Sequence, residues 1–116
     1  MFGIKSNNGY TEIIPGIQIK TLCYGESSLM TQFLLSKDSK LTEHSHLQEQ
    51  TGYLVSGKIK LYIDNKSQVI NAGDSWCIAS NIIHKAEIIE DSIAIEIFTP
   101  CQEEYKMYLN KYDINE

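Results

Sequence analysis

One hundred and sixteen residues suffice for one small core, and 42% hydrophobic with 22% charged residues is ordinary globular composition. Ten basic residues against fifteen acidic ones leave a net charge of −5, which argues against a nucleic-acid or anionic-membrane partner. All ten basic residues are lysines, so any anion must be held by lysine, backbone N–H, neutral polar groups or a metal, never by a guanidinium fork.

In chain order, Met1 to Gly16 carries no apolar run of signal-peptide length, and no later segment approaches transmembrane length. The expected location is therefore cytoplasmic, with Cys23, Cys77 and Cys101 as reduced thiols; Cys23 and Cys77 read as packing residues. Ile17 and Ile19 alternate with Gln18 and Lys20, and Leu29–Leu35 is a second candidate strand. Ile59, Leu61 and Ile63 alternate with Lys58, Lys60 and Tyr62 before an Asp64-Asn65-Lys66 turn. Short runs follow at Gln68–Ile70, Ser75–Ile78, Lys85–Ile89 and Ser92–Phe98; the last sets Ile93, Ile95 and Ile97 against Ala94, Glu96 and Phe98. Many short strands between Gly, Asn, Asp and Ser turns predict a mostly β sandwich or small barrel. Only the end reads as helical. Thr99 as N-cap, Pro100 at the first position and Gln102 three residues after Thr99 have capping-box spacing. Tyr105, Tyr108, Leu109 and Tyr112 then follow helical spacing, predicting a short helix over about 100–112 that lays an apolar stripe on the barrel.

The three histidines occur as His44-Ser45-His46 and His84. Residues two apart in a strand share a face, so His44 and His46 can converge on one ion, with Zn, Ni, Fe, Mn or Cu as suitable metals. His84 is the remaining histidine that could join them from a distant strand. Gln50 shares their parity and could contribute its carbonyl oxygen; Glu49 competes, though in a regular strand it points the other way.

His44-Ser45-His46-Leu47-Gln48-Glu49-Gln50 followed by Gly57 resembles the first motif of the cupins, G-x5-H-x-H-x3,4-E-x6-G. Gly73-Asp74, Ile78 and His84 resemble the second, G-x5-P-x-G-x2-H-x3-N. The departures are Asp38 for the first Gly, Gln50 for Glu, Ala79 for Pro, Asn81 for Gly and Ile88 for Asn; Asn81 is a mild one, because Asn tolerates left-handed backbone. The resemblance implies an all-β, double-stranded β-helix (jelly-roll) barrel over residues 1–116, with motifs at about 38–57 and 73–88. It also implies a divalent transition metal (Zn, Ni, Mn or Fe) held by His44, His46, His84 and Gln50. Four neutral ligands would leave the full charge of the ion available to an anionic ligand.

A narrower resemblance lies in Glu96-Ile97-Phe98-Thr99-Pro100-Cys101-Gln102-Glu103-Glu104-Tyr105, which looks like the small pectin-degradation cupins that linearise 4,5-unsaturated monouronates. There the stretch reads roughly D-V-F-T-P-P-R-E-D, with Asp, Phe and Arg as catalytic or substrate residues. The carry-over implies catalytic roles for Glu96, one methylene longer than Asp, and for Phe98. Gln102 stands where Arg is expected, so Lys85 or Lys106 is the candidate cation to assist the metal. The expected function is a metal-binding cupin acting on a small anionic sugar or organic acid. The alternatives are a non-catalytic metal-dependent binding or sensor cupin and an Fe(II)-dependent dioxygenase. The expected partner is a second copy, as a homodimer through Ile13, Ile14, Ile17 and Ile19.

Overall fold

Period-two burial builds the strands. In the computed structural model, which describes residues 1–116, Leu29, Thr31, Phe33 and Leu35 of one strand turn inward while Met30, Gln32 and Leu34 are half-buried on its other face. The strands in chain order are β1 (Phe2–Gly3), β2 (Thr11–Ile14), β3 (Ile17–Tyr24), β4 (Leu29–Leu35) and β5 (Lys40–His44). They continue as β6 (Glu49–Ile63), β7 (Lys66–Asn71), β8 (Ser75–Ile78), β9 (His84–Thr99) and β10 (Ile114–Asn115). All their pairings are antiparallel.

Two long strands serve both sheets of the jelly roll. The first part of β6 pairs with β8 and its last part with β7, while β9 pairs with β5 near its start and with β4 near its end. Along their whole length β6 and β9 pair with each other, with register shifts between Leu54 and Ile59. The bend has a sequence cause. Gly57 adopts φ +94°, and a Cβ there would collide with Ser92 Oγ and the Asp91 carbonyl. Ser92 then staples the bend, accepting from Lys58 N at 3.0 Å and donating to the Glu90 carbonyl at 2.7 Å. Inside the barrel Ile17, Ile19, Leu29, Leu54 and Phe98 are at most 1% exposed. Each such side chain contributes about 1.5–3 kcal/mol of hydrophobic stabilisation.

The all-β barrel expectation holds, with several corrections. The C-terminal helix is two short 3-10 pieces, Glu103–Tyr108 and Lys111–Asp113. Thr99 cannot cap it because it is the last residue of β9, opposite Glu49; Gln102 holds the cap position without a side-chain capping bond. The Lys85–Ile89 and Ser92–Phe98 runs are one strand. Cys77 is exposed rather than packed, because Trp76 and Ile78 take the inward positions of β8. Ile17 and Ile19 are fully buried within the chain and have no surface left for a contact between copies. No helix is long and apolar enough to cross a membrane.

Candidate metal centre

His44 ends β5 directly opposite His84, the first residue of β9. His46 lies beyond β5, in the loop before β6, so strand parity is not what aims it. Two loops do so together: Asn81 N donates to the His46 carbonyl at 2.8 Å, and Ser80 Oγ donates to the Leu47 carbonyl. Asn81 takes φ +65° and Asp38 takes φ +69°, so each adopts the left-handed backbone that glycine usually supplies.

The ring centroids stand 4.1 Å apart for His44 and His84, 5.1 Å for His46 and His84, and 5.9 Å for His44 and His46. One ring nitrogen of each histidine lies within 4.8 Å of the others. In all three rings Nδ1 meets a backbone carbonyl: Thr42 at 2.8 Å, Gln48 at 2.9 Å and Ile82 at 2.9 Å. A carbonyl only accepts, so each Nδ1 carries a proton, and Nε2 is the nitrogen each ring has left for a ligand. His84 Nε2 is buried without a partner. Burial, and after it the neighbouring His44 and His46, outweigh the Ile82 carbonyl and hold His84 below the usual imidazole range, which keeps it neutral.

Gln50 is 5% exposed and points inward, whereas exposed Glu49 accepts from Cys77 Sγ at 3.3 Å on the outer face. Gln50 Nε2 donates to Glu96 Oε2 at 2.7 Å, and its Oε1 stands 3.0 Å from His46 Nε2. Where His46 Nε2 carries no proton, the two lone-pair atoms face each other at that distance, and a cation between them would satisfy both. Ligands about 2.1 Å from one ion at right angles would themselves stand about 3.0 Å apart. Three imidazole nitrogens and an amide oxygen thus fit a divalent transition metal.

Glu96 and Phe98 follow on β9, facing the same interior. Burial pushes the Glu96 carboxyl up to about 7, against the opposing pull of the Gln50 amide and the nearby Trp76 indole. That indole N–H is buried and completes no hydrogen bond. Phe98 packs edge-on between the His46 ring at 5.7 Å and the Tyr105 ring at 5.1 Å. Tyr105, read from the sequence as part of a helical stripe, instead lines the cavity; burial and then the Glu96 charge push its phenol up to about 12. The cavity these groups enclose measures about 60 Å³, room for an ion and its water ligands beneath an open mouth.

Gln102, the residue in place of the expected arginine, is 6% exposed with Oε1 unpartnered, so it neither caps a helix nor supplies a charge. Lys106 pairs with Glu103 at 2.8 Å and lies over the Tyr24 ring, away from the cavity, whereas Lys85 borders it. The sequence reading missed Trp76, although Gly52 hints at it: a Cβ at Gly52 would overlap the indole ring.

The Cupin domain family profile matches residues 32–99. No curated protein matches the chain. Among solved structures, KdgF from Halomonas sp. superposes with TM-score 0.85 at 24% identity, covering 90% of this chain and 98% of that one. An RmlC-like cupin from Shewanella frigidimarina gives TM-score 0.85 at 23% identity, covering 90% and 94%. A predicted oxalate decarboxylase from Thermotoga maritima gives TM-score 0.66 at 18% identity, covering 72% and 80%. At these identities the likeness is one of fold.

Proposed function

The chain belongs to the cupin family, and from that premise we propose that it is a single-domain, metal-binding cupin that opens the ring of a small anionic sugar, a 4,5-unsaturated monouronate. The observation that carries this reading is the convergence of three imidazole nitrogens and the Gln50 oxygen beside a buried carboxyl group. The Glu96–Phe98 stretch, through its resemblance to the pectin-degradation cupins, supports this substrate class, and the likeness to KdgF supports the fold that frames it.

His44, His46, His84 and Gln50 would hold a divalent ion, which when bound supplies Lewis acidity toward substrate oxygens. The remaining roles belong to the chain. Glu96, with a carboxyl near 7, is suited to exchanging a proton around neutral pH. It would take the proton of the anomeric hydroxyl as the bond from the anomeric carbon to the ring oxygen breaks. Returning that proton to C4 of the resulting enolate leaves an aldehyde and a ketone, with no net gain or loss of atoms. Phe98 and Tyr105 wall the site and exclude water, and the Tyr105 phenol remains a donor throughout.

Unsaturated galacturonate and the purified, metal-reconstituted protein test the reaction. Loss of the absorbance of the C4=C5 double bond is expected, abolished in Glu96→Ala. Unchanged absorbance with metal bound would overturn the catalytic reading. A second reading, a metal-dependent binding module, is favoured by one observation: buried, neutral Gln102 supplies no cation to clamp a substrate carboxylate. It predicts ligand-dependent thermal stabilisation without turnover.

A further inference from the structure

We propose that Glu96 is also a positioning residue, which sets the orientation of the Gln50 amide so that its oxygen rather than its nitrogen faces the histidines. The inference rests on the metal-binding reading above and extends it to a group that does not touch the ion.

A glutamine amide has two nearly isosteric orientations, one presenting a carbonyl oxygen and the other an NH2 group that cannot ligate. Nothing in Gln50 itself selects between them. On β9, Glu96 lies opposite Gly52, and its neighbour two residues on, Phe98, lies opposite Gln50, so Glu96 and Gln50 are diagonal neighbours on the inward face. The Trp76 indole occupies the space that a side chain at residue 52 would fill, which fences Glu96 on that side. Glu96 Oε2 then receives the Gln50 NH2 group at 2.7 Å, and the amide is left with Oε1 directed at His46. With Glu96 ionised, flipping the amide would set a carbonyl oxygen against the carboxylate at that distance, two acceptors without a proton between them.

The arrangement also moves negative charge to one bond behind the ligand. A carboxylate that accepts from an amide N–H polarises the carbonyl at the other end, making Gln50 a stronger donor than an isolated amide. Glu96 thus supplies through Gln50 part of what a glutamate in Gln50's place would supply directly.

Cobalt(II) and zinc(II) affinities, measured by chelator competition on the tag-free protein, test the proposal through a double-mutant cycle. Glu96→Gln, which can present either end of its amide, should weaken binding about 10–100-fold. Glu96→Asp, about 1.5 Å shorter, should weaken it too and provides the comparison if the first variant folds poorly. Gln50→Ala should weaken binding comparably. In the Gln50→Ala background, Glu96→Gln should cost no more than about twofold, because its effect passes through the amide. The visible spectrum of the cobalt form should change alike in Glu96→Gln and Gln50→Ala. Parent-like affinity in both Glu96 variants, or a Glu96→Gln loss that persists in full without Gln50, would overturn the proposal while leaving metal binding intact. A parent protein that binds neither metal would overturn both.

Discussion

At the residue scale, the chemistry of the site follows from which atoms are left without partners. Three imidazoles spend Nδ1 on backbone carbonyls, and the Gln50 amide spends its NH2 on Glu96. What remains is a set of acceptors pointing at one another, an arrangement that is costly in a buried site unless a cation resolves it. The histidines were legible in the sequence because a ligand needs a specific side chain and the His-x-His spacing survives any local bend. Trp76 and Tyr105 were not, since their presence at the cavity depends on the β6–β8 pairing and on where the C-terminal segment packs. Gly52 is the position where this dependence can be measured. Gly52→Ala forces its methyl group into the indole of the chain's single tryptophan. We expect a loss of about 1–3 kcal/mol in denaturant unfolding, with a shifted tryptophan emission; parent-like stability and emission would show that the niche is not tightly packed.

At the scale of elements, the two long strands β6 and β9 are what the sequence obscured. Ile59, Leu61 and Ile63 announce the end of β6, but the stretch before them contains Gly52, Ser56 and Gly57, residues of low strand propensity that long-range pairing overrides. The C-terminal segment failed in the opposite direction. Its tyrosine spacing is helical, yet tertiary anchors decide its path. Thr21 Oγ1 donates to the Tyr105 carbonyl at 2.6 Å, and the C-terminal β10 pairs with β1. Lys20, 3% exposed, donates to the Ser6 carbonyl at 3.1 Å, the Asn8 carbonyl at 3.0 Å and Asp113 at 3.2 Å, below the Tyr10 ring. The Ser6 hydroxyl, with Lys20 and Asn110, holds the Asp113 carboxyl below the usual carboxylate range. A depressed folded-state value means that the charged form favours folding above the ordinary aspartate range, and that this contribution fades as pH falls through the lowered value. Protection factors of the β1 and β10 amides, corrected for the intrinsic exchange rate at each pH, should therefore fall in acid in the parent, while Asp113→Asn should be less protected at neutral pH and show less change on acidification. Identical profiles in the two proteins would remove Asp113 from the clasp.

At the scale of the whole molecule, a chain without arginine brings three imidazoles and an amide oxygen together in one interior, a set suited to holding a cation. The fold was legible because two motifs spaced along the chain fix where β5, β6 and β9 must meet; the electrostatics of the interior were not, because Glu96 reaches Gln50 only once β6 and β9 are paired. Four neutral ligands were expected to leave an ion's charge undiminished, whereas the carboxyl behind Gln50 shares in it. The reading as a cupin that acts on acidic sugars stands on the metal centre. Elemental analysis of protein purified without a metal-affinity tag, after reconstitution and gel filtration, tests that centre most directly. The account predicts about one divalent transition metal per chain in the parent and essentially none in a variant with His44, His46 and His84 all changed to alanine. A parent that retains no metal, or a triple variant that retains as much as the parent, would contradict it.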